Sequence, residues 1–410
     1  MLSPVDYLVI AASFAASVAI AYFSTPFSIW VARKIGAIDV PSDGRRMHDH
    51  PIPRLGGLSI IISFLIVSYI AGRYHALLLR QIIPGALIIG LLGMVDDAKR
   101  LPPWPKLLVQ CIAAGIAVAS GVRVTGISLF GTLNLGVFSV PITVLWIVGI
   151  TNAVNLIDGL DGLAAGVATI ASFSMFLVAL IRGQLSMAIM TAIIVGACLG
   201  LFPYNRNPAR VFMGDTGATF LGFVLSIISV QGLYKYYAAA SFVLPLLILG
   251  VPIFDTLTAI VRRLAEGKSP FTADRNHLHH KLIDMGLSQR QAVLVLYLVS
   301  AVLSLVALLF AVFGVNTGLH FLILGLALIL LIYFGIIFFA KRCRIKKAAA
   351  AQAAAQEEPK AALQDAAPGA REEAAQTIRQ AATGSAQTPP SAVPADGAGR
   401  EEERKGENGK

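Results

Sequence analysis

Charged residues are scarce in this sequence. Only 14% of its 410 residues are Asp, Glu, Lys or Arg, whereas a soluble domain carries about 25%. Hydrophobic residues make up 56% of the chain, and the mean hydropathy is +0.73. This composition excludes an ordinary soluble domain and predicts an all-α polytopic membrane protein.

Cysteine is also rare, and no basic residue precedes the first apolar segment. Cys111, Cys198 and Cys343 lie in or beside apolar segments, a spacing that predicts neither a disulfide framework nor a cysteine-based zinc site. The first basic residue is Arg33. A cleaved signal has a positive region before its apolar core, so we expect the first apolar segment to be a retained span.

Eleven apolar segments have lengths that suit a membrane span, which needs about 20 residues. They cover residues 5–23, 56–72, 79–95, 106–122, 138–155, 162–181, 186–203, 216–233, 239–261, 291–313 and 317–340. The third and fourth are short or interrupted by Gly and Pro. Residues 122–137 alternate apolar with polar or Gly residues, which predicts a short external β-hairpin.

Lysine and arginine are distributed unevenly between the two ends of these spans. With the N-terminus outside, the inner segments 24–55, 96–106, 204–215, 262–290 and 341–347 hold 21 basic residues, and the outer segments hold five. The positive-inside rule therefore predicts an N-out, C-in topology. It also accounts for the net charge of +10 without a nucleic-acid partner.

The composition changes abruptly at Ala348 to Ala, Gln, Glu, Pro and Gly. Leu363, Ile378 and Val393 are the only larger apolar residues beyond that point, and such a segment cannot bury a core. We therefore expect an integral-membrane domain over 1–347. Residues 348–410 are expected to form a disordered cytoplasmic tail, with transient helix in its Ala-rich part.

Polar residues recur at every third position in NAVNLIDGLDGLAAG, between two apolar segments. They are Asn152, Asn155, Asp158 and Asp161. Carboxylates at the mouth of a membrane helix are costly unless they are paired, metal-bound or facing water. Ordinary turn residues are the alternative interpretation, but two amides and two carboxylates within ten residues favour a functional site.

Three further carboxylates fall on the same inner side. Asp96 and Asp97 end the third span, where Lys99 and Arg100 offer the alternative of a simple juxtamembrane salt bridge. Asp215 precedes a new span and could simply cap a helix. A carboxylate there also suits magnesium, which is usually held by one or two carboxylates together with substrate phosphates.

Imidazoles gather in the last inner loop. His277, His279 and His280 lie among basic residues, and Asp255 lies within the preceding span. Such donors suit a pyrophosphate better than zinc, which would need a further fixed ligand. Solvated surface histidines are the alternative.

The first inner loop adds Arg46, His48 and Arg54, which would contact phosphate or anionic lipid headgroups. The inner face thus combines carboxylates with many basic groups and no evident Ser or Cys nucleophile. Phosphoryl transfer needs charge neutralisation and in-line positioning with little covalent work. The sequence therefore predicts phosphoryl transfer.

Four motifs carry a resemblance in their order and spacing: VDDAKRLPP, NAVNLIDGLDGLAAG, VFMGDTGATFLG and DRNHLHHKL. Together they resemble the polyprenyl-phosphate N-acetylhexosamine-1-phosphate transferase family, of glycosyltransferase 4 type, from about Pro41 to Ala340. The resemblance implies transfer of a sugar 1-phosphate from a UDP-sugar to undecaprenyl phosphate, with release of UMP. It also implies magnesium, with manganese as the alternative ion, and a bacterial cytoplasmic membrane with the active site facing the cytoplasm.

The resemblance also implies a branch and residue roles. His-Leu-His-His, in place of three consecutive histidines, resembles the UDP-GlcNAc branch that starts teichoic acid, O-antigen or enterobacterial common antigen synthesis. Asp96 matches the group for the lipid phosphate, Asp97 a metal or substrate contact, and Asp215 the magnesium ligand. The matched substrate-binding residues are Asn155, Asp158, Asp161 and Phe212 for the nucleotide, His279 and His280 for the pyrophosphate, and Arg46, His48 and Arg54 in the early loop.

Several alternatives stay open at this point. The donor could instead be UDP-MurNAc-pentapeptide or UDP-GalNAc, and the displacement could have one step or two through an aspartyl intermediate. A transporter with Gly-broken helices is the alternative from another class, although no internal repeat supports it. A homodimer is compatible with the sequence.

Overall fold

Helices form nearly all of the computed structural model, which describes residues 2–41, 50–74, 76–128, 132–234, 243–269 and 277–365. The α-helices are α1 (Pro4–Ile35), α2 (Gly57–Ile70), α3 (Ala76–Lys99), α4 (Pro103–Ala119), α5 (Ser139–Leu156), α6 (Leu163–Ile181), α7 (Leu185–Asn205), α8 (Gly214–Ile228), α9 (Val243–Ile248), α10 (Gly250–Ala265), α11 (Leu278–Asp284) and α12 (Gln289–Asp365). Single 3₁₀ turns cover Gly72–Tyr74 and Gly136–Phe138, and a π-helical turn, Ser229–Tyr234, continues α8.

Helix occupies most of the described part of each predicted span. Seven helical segments within the described residues are long and apolar enough to cross a membrane: Pro4–Ile35, Ala76–Lys99, Gly136–Leu156, Leu163–Ile181, Leu185–Asn205, Gln289–Gly314 and Thr317–Phe338. Helices α2 and α4 are apolar but shorter. The prediction of an all-α polytopic membrane protein is confirmed, and the N-out, C-in orientation stays a prediction.

Two short antiparallel hairpins interrupt the helices. Strand β3 (Gly126–Ser128) pairs with β4 (Thr132–Asn134), so the hairpin predicted within 122–137 is present. Strand β1 (Ile38–Asp39) pairs with β2 (Ile52–Pro53). This second pair closes the first inner loop and returns the chain to the end of α1.

Two helix boundaries differ from the predicted ones. Helix α1 continues past residue 23 and ends where Gly36 takes a left-handed conformation, with φ of 77°. The span predicted at 239–261 is divided into α9 and α10 at Leu249. Gly250 and Pro252 follow directly, and both residue types favour a helix start over a helix interior.

Helix α8 is the centre of the helix bundle. It packs against α2, α3 and α5, and every one of its residues except Asp215 is buried. Small residues at helix contacts let backbones approach closely in membranes, and Gly214, Gly217 and Gly222 supply them here. The exception, Asp215 in the first turn of α8, faces the site described below.

The chain divides into two units, Met1–Ala340 and Lys341–Lys410. The division falls seven residues before the boundary predicted from composition. Helix α12 is interrupted at Gly314, where φ is 79°, and continues beyond it to Asp365, so the first part of the predicted tail is helical. Residues 366–410 lie outside the described residues, and disorder there stays a prediction.

Candidate active site

A cavity of about 390 Å³ collects polar residues from separate parts of the chain. Its walls are Asp39, Arg54, Asp158, Gly159, Leu160, Asp161, Asn205, Phe212, Met213, Gly214, Asp215, His280 and Gln289. Six predicted site residues are therefore brought together: Arg54, Asp158, Asp161, Phe212, Asp215 and His280. Four carboxylates, one guanidinium group and an aromatic ring therefore share one opening.

Asp97 binds the first turn of α8. Its Oδ1 accepts a hydrogen bond from the Asp215 N–H (2.9 Å), and its Oδ2 accepts from the N–H (2.9 Å) and the hydroxyl (2.6 Å) of Thr216. Arg54 Nε lies 4.0 Å from Asp97 Oδ1. A carboxylate at a helix N-terminus satisfies free N–H groups. Both oxygens are thus engaged by protein donors, which favours a positioning role; the predicted metal contact of Asp97 stays a prediction.

Lys106 bridges two carboxylates, Asp96 in α3 and Asp215 in α8. Its ammonium contacts Asp96 Oδ2 and lies 2.8 Å from Asp215 Oδ2. Asp96 Oδ1 also accepts a hydrogen bond from the Leu101 N–H at 2.7 Å. The connection from α3 to α4 is short because Pro102 and Pro103 start the next helix directly. This short connection places the side chain of Lys106 next to the end of α3.

Sequence reasoning missed Lys106. It lies at the first residue of a predicted apolar span, and its partner Asp215 is 109 residues away. The available signal was its position nine residues after the Asp96–Asp97 pair. Asp39, Asn205 and Gln289 were missed as well.

The loop between α5 and α6 supplies Asp158 and Asp161. Asp161 Oδ2 accepts hydrogen bonds from Asn207 Nδ2 (2.9 Å) and the Ala209 N–H (3.1 Å), which join this loop to the one after α7. Burial, together with the nearby Asp215 and Asp97 carboxylates, raises the pKa of Asp158 to about 8. This concentration of negative charge favours a cation in the cavity.

Asn155, a predicted site residue, is separate from the cavity walls that the structure describes. Asn155 lies in the last turn of α5, one turn before Asp158, and does not line the cavity in the described part of the chain. Arg46 and His48 lie outside the described residues, so their predicted roles stay predictions. Among the described residues of the early basic loop, Arg54 lines the cavity.

The histidine cluster packs behind the cavity. His277 Nδ1 lies 2.9 Å from Asp255 Oδ2, and Asp255 Oδ1 accepts a hydrogen bond from the Leu278 N–H at 2.8 Å. The rings of His279 and His280 have centroids 4.3 Å apart. His279 fills the space beside Gly159, where a Cβ would lie 2.3 Å from its Nε2. His279 therefore supports the Asp158 loop, and His280 reaches the cavity.

We expect the burial of His279 to produce an acid sensitivity. Burial, together with the neighbouring His280, lowers the pKa of this imidazole from 6.5 to about 4. Between these two pH values the unfolded chain binds a proton that the folded chain does not, so stability falls as pH falls. The melting temperature should drop between about pH 7 and about pH 5, and His279→Gln should reduce that drop.

The exposed His50 offers a matched control for this prediction. The variant His50→Gln should retain the full drop of the wild type. An equally large drop in His279→Gln would show that this histidine is not its source.

The donor set at the cavity fits a hard cation. Asp215 presents a carboxylate to the opening, and magnesium is usually held by one or two carboxylates plus substrate phosphates. The described residues contain no group of three or more His, Cys, Asp or Glu residues arranged to hold a metal ion by themselves. Substrate phosphate oxygens and water would complete the coordination of a magnesium ion held by Asp215.

Comparison with known proteins identifies the family. The model of glycosyl transferase family 4 matches residues 78–233. A Bacillus subtilis protein with the name probable undecaprenyl-phosphate N-acetylglucosaminyl 1-phosphate transferase is 41% identical over 288 residues, which cover 69% of this chain and 80% of the relative. The chain belongs to glycosyl transferase family 4. The stretch 78–233 contains the Asp96–Asp97 pair, Lys106, the Asp158 loop and Asp215.

Two further relatives extend the comparison within family 4. A decaprenyl-phosphate N-acetylglucosaminephosphotransferase of Mycobacterium tuberculosis is 33% identical over 312 residues, covering 68% of this chain and 77% of the relative. An undecaprenyl-phosphate alpha-N-acetylglucosaminyl 1-phosphate transferase of Pasteurella multocida is 31% identical over 314 residues, covering 73% and 86%. Membership of a transferase family argues against the alternative hypothesis that the chain is a transporter.

Proposed function

We propose that this chain transfers N-acetylglucosamine 1-phosphate from UDP-N-acetylglucosamine to undecaprenyl phosphate and releases UMP. The observation that carries the proposal is the Lys106 bridge between Asp96 and Asp215, beside a cavity that also presents Arg54 and Phe212. The names of the relatives from three organisms support the same donor and acceptor classes. The lipid product would begin a cell-envelope polysaccharide or teichoic acid.

In the proposed reaction an oxygen of the lipid phosphate attacks the β-phosphorus of the donor. The bond between the β-phosphorus and the bridging oxygen breaks, and UMP leaves with that oxygen. A phosphate monoester has a second pKa of about 6, so it is largely deprotonated at neutral pH. Orientation of the lipid phosphate is therefore the larger task for Asp96 and Lys106.

Different residues of the cavity would bind different parts of the donor. The face of Phe212 suits the uracil ring, and Asp158 and Asp161 suit nucleotide hydroxyl or amide groups as hydrogen-bond partners. Arg54 and His280 also line the cavity, and they would bind the pyrophosphate. Asp215 would hold magnesium, which when bound would neutralise the charge of the pyrophosphate.

We further propose that the cavity faces the cytoplasm of a bacterial inner membrane. The excess of Lys and Arg in the segments that end at this face supports that orientation. A cytoplasmic opening would give access to nucleotide sugars.

The proposal is tested by UMP release from the purified full chain in detergent with undecaprenyl phosphate. UDP-GlcNAc should support UMP release, and UDP-GalNAc and UDP-MurNAc-pentapeptide should not. A reversed preference would keep the reaction class and overturn the donor. If folded protein released no UMP with any of these donors, the proposed reaction would be overturned.

Asp215→Asn is expected to lower the magnesium-dependent rate about a hundredfold to a thousandfold, as removal of one electrostatic stabiliser does. The matched control is Glu266→Gln, which removes an exposed carboxylate paired with Lys268. That control should retain wild-type activity, because exposed ion pairs contribute little. Full activity of Asp215→Asn, or a rate that EDTA leaves unchanged, would contradict the metal assignment.

A further inference from the structure

A second cavity of about 540 Å³ lies beside the first, and the two share Asp161. Its walls come from the end of α7, the loop that follows it, and the start of α12. Three arginines reach it: Arg206, Arg210 and Arg290. None of these arginines has a part in the transfer reaction proposed above.

The charge balance of this second cavity is positive. Among the described lining residues Asp161 is the one acidic side chain, and its Oδ2 already accepts hydrogen bonds from Asn207 and Ala209. Arg206 and Arg210 are exposed, and their guanidinium groups make no hydrogen bond or ion pair with the described residues. Guanidinium groups bind phosphate oxygens strongly and often through two bonds.

The other wall of the second cavity is apolar. Phe202, Val293, Leu294 and Tyr297 contribute to it, and they belong to the terminal turns of α7 and α12, which are candidate membrane spans. Leu294 is 63% exposed. A cationic rim at the helix ends thus adjoins an apolar wall on the spans, which is the arrangement that a phosphate headgroup with an acyl chain would match.

We propose that the second cavity binds an anionic phospholipid of the surrounding bilayer. The headgroup phosphate lies between Arg206 and Arg210, and an acyl chain follows Phe202 and Leu294. The combination of unpaired guanidinium groups with an apolar wall favours a lipid over a free phosphate, because a free phosphate would leave the apolar wall in contact with water.

Hydrogen bonds connect this lipid site to the first cavity. Arg290 donates from Nε to Asn207 Oδ1 (3.1 Å) and from Nη2 to the Asn207 carbonyl (3.2 Å). Asn207 Nδ2 donates in turn to Asp161 Oδ2 (2.9 Å) and Gln289 Oε1 (2.8 Å). Asp161 and Gln289 both line the first cavity. The loop that carries Asp161 is thus hydrogen-bonded to a wall of the second cavity.

The test is a binding measurement that stands apart from the transfer reaction. Full-length protein in detergent is titrated with phosphatidylglycerol, and bound lipid is counted by native mass spectrometry. The affinity should be about 25-fold weaker in Arg206→Gln/Arg210→Gln than in wild type, since each basic residue near an anionic lipid surface contributes about fivefold. Phosphatidylcholine should bind the two proteins equally and weakly.

Two further variants separate charge from folding. Arg33→Gln removes an exposed arginine in the last turn of α1 and should leave phosphatidylglycerol binding unchanged. Arg206→Lys/Arg210→Lys keeps both charges and should retain most of the affinity. Equal phosphatidylglycerol binding by wild type and the double Gln variant would overturn the proposal. Displacement of the lipid by excess inorganic phosphate would overturn it too, because the ligand would then be a free phosphate.

Discussion

Lys106→Met is expected to lower the rate of UMP release about a hundredfold to a thousandfold, the effect of losing one preorganised charge at a phosphoryl-transfer site. The ammonium contacts Asp96 and lies 2.8 Å from Asp215. Without it, the two carboxylates face each other with no counter-charge between them. The site would also lose the cation that attracts the lipid phosphate.

The measurement is kcat and KM for undecaprenyl phosphate in wild type, Lys106→Met and Lys106→Arg. The arginine variant keeps the charge but changes its geometry, so it should retain more activity than the methionine variant. Lys99→Met is the matched control, because Lys99 is exposed at the end of α3. A methionine variant within a few-fold of wild type would remove Lys106 from the proposed mechanism.

Gly93→Ala is expected to abolish activity and to lower the melting temperature strongly. A Cβ at Gly93 would lie 2.4 Å from Thr216 Cα and 2.7 Å from Thr216 N. These are backbone atoms of the first turn of α8, and the same Thr216 N–H donates to Asp97. Overpacking a well-packed contact costs about 1–3 kcal/mol, and occasionally more, so separation of α3 from α8 would break the site together with the helix contact.

Gly90→Ala is the control on the same helix. Among the described residues, its added Cβ would meet only Ile61 Cδ1, at 3.0 Å, which is the end of a flexible side chain. Thermal unfolding and UMP release in detergent should therefore remain close to wild type in Gly90→Ala. Equal behaviour of the two variants would show that the close approach of α3 and α8 is not required.

The sequence predicted the elements and many of the cavity residues, because the governing signals are local. Apolar segments of span length gave the helices, and alternation in 122–137 gave the β3–β4 hairpin. Carboxylates at span ends pointed to Asp158, Asp161 and Asp215, since charge at such depths is costly without a partner. The family model matches residues 78–233, which contain these three carboxylates.

The contacts between distant segments could not be predicted in this way. Lys106 and Asp215 are 109 residues apart, and Asp97 meets Thr216 across 119 residues. Both pairings depend on how α3, α4 and α8 pack. Asn205 and Gln289 likewise become site residues only when α7 and α12 end beside the same loop.

The division of the ninth predicted span was missed for a different reason. Its hydropathy predicts a single helix, whereas the chain forms α9 and α10 with a break at Leu249. Gly250 and Pro252 supply a local reason for the break. Asp255, three residues after Pro252, then reaches His277 and holds the histidine cluster.

The central claim is transfer of a sugar phosphate, and the identity of the released nucleotide tests it most directly. Purified protein is incubated with UDP-GlcNAc, undecaprenyl phosphate and magnesium, and the nucleotide and lipid products are identified by mass spectrometry. We predict UMP, with a lipid that carries two phosphates and one N-acetylglucosamine. Release of UDP, with a lipid that carries a single phosphate and the sugar, would contradict the account.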